Sequence, residues 1–365
     1  METTYLYKEA LQLLQELIAT PSFSKEEDKT AAIIERFLQS KGVETHRHLN
    51  NVWALNKYFD PGKPVVLLNS HHDTVKPNPQ YTKDPFTPAI EDGKLYGLGS
   101  NDAGGCLVSL LAAFLYFYNQ QGLLYNVIIG ASAEEEISGA NGIEALLKAE
   151  GLVAALQHKQ PAFAIVGEPT LLNLAIAEKG LMVLDGLAHG KAGHAAREEG
   201  ENAVYKAMKD IEWISTYRFP KASEWLGPVK MSVTVINTEN RAHNVVPAQC
   251  SFVVDVRVTD AYSHEQVLEI IQKHVQSEVK PRSMRMRATR IEPTHPIVEA
   301  GIALGKSVYG SPTSSDKALM PFPALKCGPG DSARSHTADE FIYLEEIANG
   351  IEHYIQLLSK VVVKA

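Results

Sequence analysis

A chain of 365 residues is long for one hydrophobic core, so two domains are expected, and 45% apolar with 21% charged residues fits globular folding over disorder. A formal net charge of −8 argues against a nucleic-acid partner or an anionic membrane surface, since the only basic cluster, Arg282, Arg285 and Arg287, reads as a solvated strand face. Cys106, Cys250 and Cys327 lack metal-type spacing, and their odd number suits packing residues in a reducing, cytoplasmic compartment better than a disulfide framework.

In chain order, apolar residues at helical spacing predict an amphipathic helix over residues 5–19, broken at Pro21. Glu2 and Glu9 stand where a signal peptide would be basic, so none is expected. Ser24 and Glu27 have capping-box spacing, and a second helix should run from there towards Leu38. Strands are expected near Val52, Val65 and Val127, alternating with helices, the pattern of an α/β mixed sheet with helices on both faces. The most apolar stretch, CLVSLLAAFLYFY, is shorter than the roughly 20 residues that a membrane crossing needs and reads as a buried helix behind Asp102.

From about Asn173 the pattern changes. LAIAEKGLMVLDGLAHG looks like a strand, ENAVYKAMKDIEWIS a helix, VKMSVTVIN and CSFVVDVRV two strands, HEQVLEIIQKHVQ a helix and RMRATRIE a closing strand. That order is ferredoxin-like.

Polar residues gather where apolar runs end. VVLLNSHHDTV delivers His71 and Asp73, where His71 can bind metal and Asp73 can orient it. GLGSNDAGG turns the chain around Asp102, which is placed to bridge two ions. A third run ends in Glu134, Glu135 and Glu136, whose mutual repulsion calls for nearby cations or protons. VGEPT offers Glu168, and GPGDSARSHTADEF carries His336. Nitrogen and oxygen donors of this kind suit zinc. Two such ions roughly 3.5–4 Å apart acidify a water that one free carboxylate can deprotonate, and splitting an amide at neutral pH requires that chemistry. Within the glutamate run, one residue can bind metal while a neighbour serves as base.

These segments resemble the metal-dependent aminoacylases, carboxypeptidases and deacylases, a family that includes acetylornithine deacetylase and succinyl-diaminopimelate desuccinylase. The resemblance spans nearly the whole chain. It implies His71 and Glu168 on a first ion, Glu136 and His336 on a second, and Asp102 shared between them. Asp73 would orient His71 and Glu135 would be the general acid/base. Ser70 and Gly104 depart from the Gly and Lys that many members carry, at positions that are not ligands.

The resemblance further implies a discontinuous catalytic domain over residues 1–172 and 293–365, interrupted by a dimerisation or lid domain over 173–292, and hence a homodimer. His194 would reach the partner subunit's cleft to stabilise an oxyanion, while Asn244 and Arg257 would hold the substrate carboxylate; apart from the resemblance, Lys179 is placed at a strand end where it can face substrate. The expected cofactors are two divalent ions, zinc or alternatively cobalt. The expected reaction is hydrolysis of an N-acyl amino acid, N-acetyl-L-ornithine to acetate and ornithine in arginine biosynthesis. A succinyl-diaminopimelate-type desuccinylase or a dipeptidase is the alternative, and a non-catalytic binding protein is disfavoured because every ligand and the base are present.

Overall fold

A computed structural model describes residues 2–197 and 199–364. Its contacts divide the chain into two units. One runs to Ile176 and resumes over Ile291–Tyr309 and from Ser315, and the other comprises Ala177–Arg290 with Gly310–Ser314.

The first unit opens with helix α1 (Thr3–Ile18), which buries Leu6, Leu13, Leu14 and Leu17 on one stripe, and α2 (Asp28–Ser40), which buries Ile33, Ile34 and Leu38. Strands β1 (His46–His48), β2 (Asn51–Leu55) and β3 (Val65–His71) follow. Next come helix α3 (Gly105–Tyr118), β4 (Asn126–Ser132), β5 (Phe163–Val166) and β6 (Leu174–Glu178). They form a mixed sheet in the order β1-β2-β4-β3-β5, continued by the strand Ala324–Lys326 and then β6. β3 is parallel to β4 and β5, and β5 is parallel to Ala324–Lys326.

Every residue of β3, β4 and β5 is buried, as strands with apolar centres between two helical layers should be, and the buried polar residues Asn69, Ser70, His71 and Ser132 sit at the carboxyl ends of β3 and β4. Val65, Leu67 and Ile128 pack with Leu146 and Leu152 on one face. Alternate residues point the other way, where α3 packs on β3 and β4 and is flanked by α1 and the helix Leu344–Val362. The stretch Ser100–Tyr118 has the length and apolarity of a membrane span, but 89% of it is buried inside the unit, so it serves as a core helix.

In the second unit, β7 (Gly180–His189), α4 (Ala203–Thr216), β8 (Lys230–Asn237), β9 (Gln249–Val258), α5 (His264–His274) and β10 (Glu278–Pro281) form a ferredoxin-like layer pair. The antiparallel sheet has the order β8-β9-β7-β10. Met182, Leu184, Phe252, Val254 and Val256 from its inner face meet Ala203, Ala207, Ile214, Val267 and Ile271 from the helices.

Two expectations change. LAIAEKGLMVLDGLAHG forms two strands, β6 and β7, with Lys179 between them. The closing strand is Glu278–Pro281, upstream of RMRATRIE, because Val279 is the residue that enters the core. Arg282 and Arg287 instead form surface pairs with Asp185 and Glu265, and only Thr289–Arg290 within RMRATRIE is extended and paired.

Candidate metal centre

The parallel strands decide where the polar residues emerge. β3 ends on His71, β4 is followed two residues later by the glutamate run, and β5 by Glu168, so three groups stand at neighbouring carboxyl ends of one sheet. Asp102 arrives from the turn before α3, where the Asp102–Ala103 peptide is cis, and His336 from the loop before the helix Leu344–Val362.

The side chains converge. His71 Nε2 lies 3.4 Å from Asp102 Oδ1 and 3.9 Å from Glu168 Oε1. His336 Nε2 lies 3.0 Å from Glu136 Oε2 and 3.6 Å from Asp102 Oδ2. The two oxygens of Asp102 therefore serve different histidines, which is the geometry of a bridging carboxylate. Each trio, His71 with Asp102 and Glu168, and Asp102 with Glu136 and His336, has donor atoms within 4.8 Å of one another. Glu135 Oε2 stands 3.9 Å from His71 Nε2 and belongs to neither trio.

Asp73 organises this arrangement. Its side chain is buried 3.5 Å from His71 Nδ1, which meets the Asp73 carbonyl at 3.0 Å. Asp73 Oδ1 accepts the Glu135 N–H at 3.0 Å, and Oδ2 accepts the Glu136 N–H at 3.2 Å and the Ser24 hydroxyl at 2.7 Å. One carboxylate thus sets the imidazole and the start of the glutamate turn together. Glu134 takes a left-handed conformation, φ 53°, and its carboxylate turns to the Asn141 side chain at 3.0 Å. The backbone reversal turns the Glu134 side chain away from Glu135 and Glu136.

The charges are unbalanced without cations. Burial pushes the Glu135 carboxyl well above the usual carboxylate range, reinforced by Glu168, Asp316 and Glu136. Glu136 is likewise raised, by burial and then by Asp102, against the opposing bond from His336. The Glu136 hydrogen bond holds His336 up, at about 9. Burial works against protonation of His71, yet bonds to Asp102 and Asp73 lift it well above its ordinary value. Five acidic groups around two imidazoles, with nitrogen and oxygen donors clustered in two trios, fit a pair of divalent cations.

The remaining expected residues fall in the second unit. His194 is exposed in a two-residue antiparallel pairing, opposite Val245, and the Ala195 N–H donates to the Asn244 carbonyl, so His194 and Asn244 are neighbours. Arg257 does not offer a free fork, because Nε and Nη2 donate to both oxygens of Asp255 at 2.8 and 3.0 Å. Lys179 Nζ donates to the Pro228 carbonyl at 3.3 Å, and burial, then Lys230 and Arg257, lower its proton affinity.

Several participants lie outside the expected set. Ser24 lies ahead of α2, whose N-cap position is Glu27, and donates its hydroxyl to Asp73 instead of capping the helix. Ser70, one of the departures from the resembled family, donates to the Gly167 carbonyl at 2.8 Å and ties β3 to the residue before Glu168. Buried Asp316 accepts from Asn69 at 2.9 Å and Ser132 at 2.5 Å behind the strand ends. Glu340, which burial and the Asp102 charge push up to about 8, receives N–H groups from the Asp102 turn. Asp316 and Glu340 lie far in sequence from their partners, and the local sequence of each carries no sign of burial.

Residues 67–360 match the model of peptidase family M20/M25/M40. Among curated proteins, the chain is 30% identical over 284 residues to a succinyl-diaminopimelate desuccinylase of Beijerinckia indica, covering 72% of this chain and 71% of that one. It is 25% identical over 289 residues to one of Erythrobacter litoralis, covering 73% and 74%. Among solved structures, a Bacillus subtilis dinuclear metal-binding peptidase of the M20 family superimposes with a TM-score of 0.73 at 16% identity, covering 97% and 98%, a likeness of fold. Matched over most of its length, with donor trios at the strand ends, this chain belongs to peptidase family M20/M25/M40 and is a metal-dependent amidohydrolase.

Proposed function

We propose that the protein hydrolyses the amide bond of an N-acyl amino acid, with zinc in both cation positions and Glu135 as general acid/base. The observation that carries this reading is Asp102, shared by two donor trios with Glu135 left outside both. Two divalent cations would supply Lewis acidity and an acidified water. Glu135 then takes the water's proton on its carboxylate and delivers it to the departing nitrogen, a role its raised proton affinity favours. Asp73 holds the Glu135 main chain in place throughout.

The acyl group is open to a sharper choice. The names of the curated relatives favour a succinyl group on diaminopimelate over the acetyl-ornithine substrate of arginine biosynthesis. Lys179 feels the positive charges of Lys230 and of Arg257, the latter already paired with Asp255, and the two lysines suit a second carboxylate on the substrate. Exposed Tyr205 and Met208 on α4, with Val235 and Ile236 on the edge strand β8, support a homodimer through the second unit. His194 would act across that dimer. Three buried free cysteines agree with a cytoplasmic setting.

A kcat/KM panel of N-succinyl-diaminopimelate, N-succinyl-ornithine, N-acetyl-ornithine and dipeptides tests the proposal. Succinyl substrates are expected to lead by at least about tenfold, the scale of one charged contact. Preference for dipeptides would overturn it, and preference for N-acetyl-ornithine would restore the acetyl alternative.

A further inference from the structure

We propose that Glu340 is a positioning residue that sets the cation affinity of the centre by bracing the backbone that carries Asp102. The inference rests on the two-cation reading above. Glu340 is 2% exposed, and its carboxylate accepts three main-chain N–H groups from one turn. Oε1 receives Asn101 at 2.8 Å and Asp102 at 2.9 Å, and Oε2 receives Gly99 at 3.1 Å. Gly99 sits at φ 76°, and a side chain there would meet Thr74 Cγ2 at 2.6 Å, so the turn that presents these donors depends on glycine at this position. The return contact is the Gly97 N–H to the Glu340 carbonyl at 3.0 Å.

The same turn is stitched a second time. Asn101 Nδ2 donates to the Asp331 carbonyl at 3.0 Å, and Asn101 Oδ1 accepts the Asp331 N–H at 3.0 Å. His336 lies between Asp331 and Glu340 in sequence, so both ends of its loop are fastened to the turn that presents Asp102. Asp102 faces His71 at 3.4 Å with one oxygen and His336 at 3.6 Å with the other, and that division requires the backbone of residue 102 to stay where Glu340 holds it. Removal of the acceptor deprives two buried N–H groups and one part-buried N–H group of their partner, a cost that a shift of the turn would relieve. Outer partners of metal ligands typically change affinity by about 10–100-fold when mutated.

The test uses metal-stripped wild type, Glu340→Gln and Glu340→Asp, each titrated with Co²⁺ and with Zn²⁺ against a chromophoric chelator, with the unfolding midpoint of each metal-free protein recorded in parallel. Gln presents an N–H₂ to at least one N–H donor. Glu340→Gln is expected to bind the ion pair about 10–100-fold more weakly, with Glu340→Asp in between. A lowered midpoint with wild-type affinity would assign Glu340 to folding alone and overturn the proposal. Should Glu340→Gln fail to fold, wild-type affinity in Glu340→Asp overturns it equally. Wild type that binds two ions but cleaves no acyl amino acid refutes the proposed function while leaving this comparison intact, and wild type that binds fewer than two refutes both.

Discussion

Replacement of Asp73 by Ala should destabilise the metal-free catalytic unit by about 3–5 kcal/mol. Three donors lose an ionised acceptor, the Ser24 hydroxyl at 2.7 Å and the N–H groups of Glu135 and Glu136 at 3.0 and 3.2 Å. Hydrogen bonds to charged groups contribute about 1.5–3 kcal/mol each, and relief of repulsion in a carboxylate-rich site keeps the sum near the lower end of that range. Asp73→Asn keeps the shape but turns an N–H₂ towards one of the donors, for a loss of about 1.5–3 kcal/mol. Trp53 is the only tryptophan of the catalytic unit, so in a Trp213→Phe, Trp225→Phe background its emission during urea unfolding reports that unit. Burial works to raise the Asp73 carboxyl, but His71, Ser24 and the Glu135 N–H outweigh it and hold the pKa below the ordinary value. The carboxylate's contribution is therefore present above the unfolded pKa and fades as pH falls through the folded one, so wild type and Asp73→Ala should converge in acid. A difference under about 1 kcal/mol at pH 7, or one that does not narrow in acid, would refute the role given to Asp73.

Glu135→Gln should leave both ions bound while turnover drops at least about a hundredfold, whereas Glu134→Gln, whose side chain bonds Asn141, should retain most activity; comparable losses in both would move the base. His336, held at about 9 by Glu136, is protonated at neutral pH in the metal-free protein, so ion loading must expel that proton. Its ion pair stabilises the metal-free state fully below the unfolded pKa near 6.5 and loses that effect as pH rises through about 9, while metal affinity climbs over the same interval. Calorimetry in buffers of different ionisation enthalpy should show proton release per ion at pH 7 that declines towards pH 9, and a pH-independent affinity would contradict this. His194→Ala should lower kcat in a dimer that still forms, and mixing it with Glu135→Gln subunits should restore activity if the histidine acts across the interface.

The catalytic sheet was legible because β3, β4 and β5 carry the branched apolar runs VVLL, VII and FAIV, each followed within a few small or polar residues by His71, Glu134 or Glu168, and such endings mark strand carboxyl ends. Local spacing misled at Ser24, where the acceptor is 49 residues away and a four-residue pattern could not register it. At Arg257 the spacing did not show that Asp255, two residues back on the same strand, takes the fork in this structure. Glu340 and Asp316 were invisible for a stronger reason. Their partners Asp102 and Ser132 are 238 and 184 residues distant, and nothing in SHTADEF or SSDKAL distinguishes a buried acid from a solvated one. RMRATRIE alternates as well as any strand, but apolar burial at Val279 decided which segment pairs.

The strand Ala324–Lys326 fills the gap between β5 and β6 although it is made nearly 150 residues after them. Until the ribosome has delivered it, Phe163–Val166 has a parallel neighbour on one flank alone, and its other edge is an open invitation to foreign strands. A chain cut short ahead of that point would keep that edge uncovered, and association through it is the expected fate of such a fragment.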